Sequence, residues 1–577
     1  MSIIALANGD APSVLDEGKL HCLAAGLGFI IPDADDAQSY LLLLKSFEGV
    51  MRQVDSGDDF VHPALVPVPT TRPRVFWKPD AKDNPLNAWS HRCEMAAARP
   101  TGNLLAGRTV AVKDNVSVGG LPTTLGTLPE LLRPRDDAGG GDEGGNLPPL
   151  SPIDATVVAR LLAAGAVIKG SSTCESFCAS PLACTSATGP VHHPLLRGHT
   201  TGGSSSGSCA LVAADALLRA GKGGGVLGES AELAVGGDQA GSVRNPACYT
   251  GVYGLKPTFG LVPYTGAASM APLIDHLGPI ASSVEDIAAL LRVMAGWDGI
   301  DPRMTPETPL AANVKDYPAL VAGHRRQADS EGPGRRPVMR VGLLTESFDV
   351  PGLSPDVRDL VRSASRQGFE AAGAEVVDVS VPMHAEGPVI WTAAARPSMS
   401  LGLVQGKPSG HLSYLPPHIA TRWPPDQDAY GLLTGSNPAV VNILLSQAFD
   451  GAHVAPSVEA KAHRRAFQLR AAYDAALARV DVLVTPCAPT VAMPHPDPGA
   501  SVLERLAPAI GLTSNTCPFN ITGHPAMSVP CGELPPPERP DVKLPVGMQV
   551  IGRRWEDEMV MKAAVLFEAG QKRRAHP

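Results

Sequence analysis

Residues 107–115 read GRTVAVKDN. The run Thr109, Val110, Ala111, Val112 has the composition of a strand, and Asp114-Asn115 is a turn, so Lys113 stands at a strand end on the edge of a packed core. A lysine held there sheds hydration and can serve as a base, although a surface lysine is the plainer reading of this segment alone. Moving outward, residues 154–164 predict a helix, opened by Ser151-Pro152 and closed by Gly165, with a second strand over 167–170. The alternation resumes downstream, with strands over 338–344, 374–381, 481–485, 527–530 and 546–551 and helices over 355–372, 457–480 and 557–570. Strands alternating with helices predict an α/β fold, a central mixed, twisted sheet covered by helices on both faces.

Upstream of this core the period is helical. Residues 20–27 and 37–54 place apolar side chains at helical spacing, and a Pro-rich passage over 62–73 ends the pattern. A small helical N-terminal domain over 1–88 is therefore expected, followed by a catalytic domain over 89–577, with dimerisation a natural task for the helical part. Inserted loops are read near 128–150, which is rich in Gly and acids, and over 218–232; a polar connector spans 324–337. With 577 residues, 44% hydrophobic, 18% charged and a net charge of −9, the chain has no basic excess to bind nucleic acid. No apolar run is long enough to span a membrane, and residues 1–13 lack the basic start of a signal peptide. Cys174, Cys178 and Cys184 cluster, but no CxxC occurs, and His192 and His193 follow without zinc-finger spacing. The ten cysteines read as reduced thiols of a cytoplasmic protein, with no metal and no cofactor expected.

Two further segments carry chemistry. TGGSSSGS (201–208) runs straight into an apolar helix over 209–219, where a flexible linker would not, and offers N–H groups and hydroxyls to a reacting oxygen. GGDQAGSVRNP (236–246) follows a short strand over 233–235. Small residues around Ser242 on a tight turn let backbone N–H groups converge, as an oxyanion hole needs. Residues 249–265 read as a pocket wall or, more plainly, a set of turns. The stretch Lys222-Gly-Gly-Gly225 fails as a phosphate loop, because no Ser or Thr follows the lysine.

In this order the three segments resemble the amidase signature family, and residues 254–266 and 274–280 are most similar to amidases that accompany nitrile hydratases and to related fungal amidases. The resemblance covers residue 87 to the end, weakly between 305 and 480. It implies that Ser242 is the nucleophile, Ser204 a bridging serine on a cis peptide, and Lys113 the base. It places backbone donors at Gln239, Ala240, Gly241 and Ser242. It further implies hydrolysis of a small-molecule amide through an acyl-enzyme by a homodimer without a cofactor. A carbamate or ester presents the same carbonyl, and an amidotransferase component of the A type is the third reading. Cys174, Tyr249, Phe259, Trp391 and Ile521 are candidates to line an apolar substrate pocket. The sequence departs from the family pattern twice: Ser204 and Ser242 stand 38 residues apart, longer than usual, and Ala240 replaces a glycine, which suits the turn only if its φ is negative. Gly203-Ser-Ser205-Ser-Gly207 also matches the GxSxG of α/β-hydrolases, but residues 196–201 read as a poor strand, and a nucleophile elbow needs one.

Overall fold

The computed structural model describes residue 6 and residues 13–132, 149–330, 338–407 and 410–575. The chain divides into two compact units, Met1–His62 and Pro63–Pro577. In the first, α1 (Glu17–Gly26) is capped by Asp16, whose side chain accepts from Lys19 N, and α2 (Ala34–Asp55) by Asp33, which accepts from Asp36 N. The unit closes at His62 rather than at residue 88. Pro63, Pro67, Pro69 and Pro73 bar further helix, and residues 76–77 already belong to a strand of the second unit.

That unit contains β1 (Phe76–Trp77), β2 (Trp89–Ala96), β3 (Thr109–Lys113), β4 (Val167–Ser172), β5 (His192–His193), β6 (Leu196–Thr200) and β7 (Leu233–Gly237). It continues with β8 (Tyr253–Lys256), β9 (Leu277–Ala281), β10 (Arg340–Leu344), β11 (Glu375–Val379), β12 (Val482–Pro486), β13 (Ala526–Leu534) and β14 (Leu544–Ile551). Twelve of these form one sheet in the order β1-β2-β4-β3-β7-β9-β8-β13-β14-β12-β10-β11. The sheet is mixed: β3 runs parallel to β4 and β7, and β10 parallel to β11 and β12, while the other neighbours are antiparallel. Its central strands are buried along their length and read as continuous apolar runs, as strands covered on both faces must. Helices flank it, among them α3 (Thr156–Ala163), α4 (Ser206–Arg219) and α5 (Arg244–Thr250). Ahead of α3, Arg74 pairs with the buried Asp154 at 2.7 Å, and Asp154 also accepts from Val68 N and Gly119 N.

Three readings change. Residues 196–200 are a strand after all, held by the pairing of His192 with Thr200 and of His193 with Leu196, but it lies in a hairpin apart from the central sheet and supplies no elbow. Residues 89–96, expected only as a connection, form β2. The span 387–453, left unread, holds the helices Gly387–Met399, Gln427–Ser436 and Pro438–His453. Residues 133–148 of the first expected insertion and 331–337 of the polar connector lie outside the described residues. The second insertion begins within α4 and continues as a loop with one short turn at Gly224–Val226 before β7. Among the described residues no helix is long and apolar enough to cross a membrane.

Candidate active site

Lys113 closes β3, and its Nζ donates to Ser204 Oγ at 2.8 Å and to the Gly237 carbonyl at 3.2 Å. Neither Lys113 nor Ser204 exposes any surface. The reach follows from the sheet. β3 and β7 are parallel neighbours, with Val112 beside Val235, so the chain leaving β7 at Gly237 enters the serine turn next to the lysine. Ser204 joins Gly203 through a cis peptide. A Cβ at position 203 would lie 2.6 Å from Ser180 O and 2.9 Å from Glu175 Cγ, so only glycine fits. Ser205 N then donates to the Ser242 carbonyl at 3.1 Å, stitching the serine-rich loop to the turn that carries Ser242. Ser242 keeps 8% exposure where the other two have none.

The turn is built around Asp238. Its carboxylate accepts from Gly241 N at 2.7 Å, Val243 N at 3.1 Å and Arg244 N at 3.4 Å, and from the Arg244 guanidinium through Nε at 2.9 Å and the outer nitrogen at 2.8 Å. Burial alone would raise this carboxyl; the charge and hydrogen bonds of Arg244, with the Asn520 amide, hold it well below the usual range. Arg244 also donates to Thr516 O, Gln549 Oε1 and Asn520 Oδ1. One expected oxyanion donor is thereby lost, because the Gly241 N–H is committed to Asp238. The N–H groups of Gln239, Ala240 and Ser242 have no partner among the described residues. The positive φ of the turn falls on Gly241, at 134°, and not on Ala240, so the alanine is tolerated.

The five pocket candidates divide. Cys174, Trp391 and Ile521 are buried in one apolar cluster with Leu125, Phe177 and Cys178, and Ala240 packs against it. Trp391 Nε1 donates to the Gln239 carbonyl at 3.0 Å, fixing the turn from that side. Tyr249 belongs to a different cluster: its ring packs beneath Gly202 and its hydroxyl meets Thr490 Oγ1 at 3.2 Å, so it supports the loop rather than a pocket. Phe259 lines a cavity of about 870 Å³ with Leu125, Tyr264, Ala268, Arg303 and Leu403; Lys113, Ser204 and Ser242 are not among its walls. The cavity meets the turn through Tyr264, whose hydroxyl accepts from Gln239 Nε2 at 2.8 Å.

Two buried carboxylates behind the lysine escaped the sequence reading. Asp114 accepts from Ser90 Oγ at 2.6 Å and from Thr124 N at 3.0 Å, and burial pushes it up to about 6. Burial pushes Glu175 up to about 7 against hydrogen bonds from Thr185 and Ser206. The available signal was a lone acid within a stretch of small and apolar residues. Among the described residues no three His, Cys, Asp or Glu side chains gather as a metal would require.

Comparison with known proteins decides the family. Residues 145–561 match the amidase family, described simply as Amidase. The chain belongs to the amidase signature family. It is 33% identical over 519 residues to an enantioselective amidase of Rhodococcus rhodochrous, covering 89% of this chain and 88% of that protein. It is also 33% identical over 474 residues to the A-type component of the glutamyl-tRNA(Gln) amidotransferase of Synechococcus sp. strain WH7803, covering 80% and 83%. Among solved structures, the peptide amidase of Stenotrophomonas maltophilia superposes with a TM-score of 0.58 at 26% identity, over 82% of this chain and 83% of that one. Membership makes the protein an amidase signature enzyme, a hydrolase acting on amides.

Proposed function

We propose that this chain hydrolyses carboxylic amides to acid plus ammonia or amine through a serine acyl-enzyme, with Ser242 as nucleophile, Ser204 as relay and Lys113 as base. The observation that carries this reading is the fully buried contact of Lys113 Nζ with Ser204 Oγ at 2.8 Å, beside a loop bonded to the Ser242 carbonyl. As Ser242 Oγ bonds to the carbonyl carbon, its proton passes to Ser204 Oγ and the Ser204 proton to Lys113 Nζ. The oxyanion sits against the N–H groups of Gln239, Ala240 and Ser242; losing one such donor costs about 3–4 kcal/mol. Collapse breaks the C–N bond while the relay runs in reverse and protonates the leaving nitrogen, which would otherwise depart as a poor amide anion. Water then attacks the acyl-enzyme, its proton passing through Ser204 to the lysine; collapse breaks the bond between Ser242 Oγ and the carbonyl carbon as the relay returns that proton to Ser242, and the acid is released.

The amidotransferase reading draws support from relatives 31–33% identical. The enantioselective amidase favours hydrolysis of a free amide, because that likeness covers 89% of the chain against 80–82% for the amidotransferase relatives. The apolar cluster at Ala240 suits a neutral acyl group, and a carbamate or ester would enter the same way. A cytoplasmic homodimer, akin to amidases that accompany nitrile hydratases, completes the proposal. The test is a screen of purified protein on p-nitroanilides, aliphatic amides and carbamates, with Ser242→Ala and Lys113→Ala as controls. Amide turnover lost in both variants supports the reading; turnover of glutamine alone, and only with partner proteins and ATP, overturns it.

A further inference from the structure

Glu175 lies directly behind the Gly203–Ser204 peptide and takes no part in the chemistry above. It is fully buried. Its carboxylate accepts from Thr185 N at 2.7 Å, Thr185 Oγ1 at 2.6 Å and Ser206 Oγ at 2.8 Å, and its own N–H donates to the Ser204 carbonyl at 3.3 Å. None of these donors is a cation. Lys113 stands on the other side of Ser204, its Nζ 2.8 Å from that serine's Oγ, so Ser204 is contacted by Glu175 through its backbone and by the cation through its side chain. A buried carboxylate is costly unless hydrogen bonds and an opposite charge offset it. Here the hydrogen bonds all come from the serine loop and its brace, and the opposite charge arises when the lysine is protonated.

We propose that Glu175 is a positioning residue that grips both ends of the relay: it fixes Ser204 through the backbone and Ser206, and its charge stabilises the ammonium that forms when Lys113 receives the proton. Glu175 itself takes no proton from the substrate or the serines. The inference rests on the Ser242–Ser204–Lys113 reading. Other groups also act on the lysine. Asp114 follows it in the chain, Cys174 and Cys178 face it from the segment after β4, and Cys209 faces it from α4. Cys184 faces Glu175 from the loop that carries Thr185, with Arg505 acting on that thiol. Burial raises Cys174 and Cys209, while the hydrogen bond with Cys174 lowers Cys178. Asp114 is the competing carboxylate, already engaged by Ser90 and Thr124.

The experiment compares pH profiles of kcat/KM for the wild type, Glu175→Gln and Glu175→Asp on one amide substrate, with thermal unfolding alongside. Glu175→Gln should lower kcat with little change in KM and should move the acid limb to lower pH, because the carboxyl that burial raises to about 7 is gone from the limb and no negative charge is left to face the ammonium. Glu175→Asp keeps the charge and should return the limb to the wild-type position. A Gln variant with reduced activity and an unmoved limb would make Glu175 a purely structural residue and overturn the proposal. Should Glu175→Gln fail to fold, Ser206→Ala removes a hydrogen bond that favours the ionised carboxylate, so Glu175 takes its proton sooner and the limb should move to higher pH; an unmoved limb there also overturns it. Wild-type turnover in Lys113→Ala would instead defeat the relay reading, which keeps the two failures distinct.

Discussion

Asp238 grips Arg244 with both carboxylate oxygens, at 2.9 Å to Nε and 2.8 Å to the outer nitrogen, and neither side chain touches solvent. The pair joins the two ends of the serine turn, and Arg244 carries the grip across the sheet to Gln549 on β14. Removing one partner strands the other as a buried charge. Arg244→Met should therefore cost about 3–5 kcal/mol in urea unfolding. A loss below about 1 kcal/mol would mean that the neighbouring amides satisfy Asp238 unaided.

The geometry of the turn separates two small substitutions at adjacent positions. At Gly241 the φ of 134° and a Cβ only 2.3 Å from Thr516 Oγ1 leave no room for a side chain. Gly241→Ala should displace the N–H groups on either side and lower kcat by about 10²-fold or more. Ala240→Gly should keep activity within an order of magnitude, since no positive φ is required there. Equal rates for the two variants would show that this turn does not stabilise the oxyanion.

Replacing the lysine by an uncharged side chain of similar length isolates its proton chemistry from its packing. Lys113→Met should fold, judged by an unchanged far-ultraviolet spectrum and cooperative melting. Its kcat should fall by roughly 10²–10⁴-fold, the usual worth of a positioned acid–base group. A folded variant with near-native turnover would remove Lys113 from the mechanism.

Acid should destabilise the protein well before its ordinary surface carboxylates titrate. Burial lowers nine histidines among the described residues, with His91, His193, His418 and His495 held at about 4 against an ordinary value of 6.5. Between those values the unfolded chain binds protons that the native state refuses, so each histidine contributes stability above pH 6.5 that is lost as the pH falls toward 4. Four carboxyls, Asp114, Glu175, Asp275 and Asp557, are raised by burial and act in the opposite sense over the same window. Nine against four leaves a net loss. Urea midpoints at pH 7, 5.5 and 4.5 should decrease in that order, and a flat series would contradict the balance.

The strands and helices around Lys113 were legible because their apolar runs are long and punctuated: β3, β4 and β14 lie close to where composition places them. The three motif segments were legible because each sets small or polar residues directly against a strand or a helix: Lys113 at the end of one strand, 201–208 before a helix and 236–246 after a strand. What escaped the sequence is what side chains do across the fold. Nothing in the order of residues shows that Asp238 would capture the N–H of Gly241, or that Tyr249 would face Thr490 while Tyr264 meets Gln239. The hairpin strand over 196–200 was missed because exposed Arg197 and Gly198 interrupt its alternation, and pairing with His192 and His193 supplies what composition does not. The helices over 387–453 were missed for a related reason: Pro397 inside one and a low share of buried side chains in the others blur the helical period.

The side-by-side departure of Lys113 and the serine turn from β3 and β7 has a practical side. Their separation is fixed by the spacing of two hydrogen-bonded strands, not by any connecting segment. Changes on the cavity wall at Phe259 or Leu403 should therefore leave the contact between Lys113 and Ser204 at its present length.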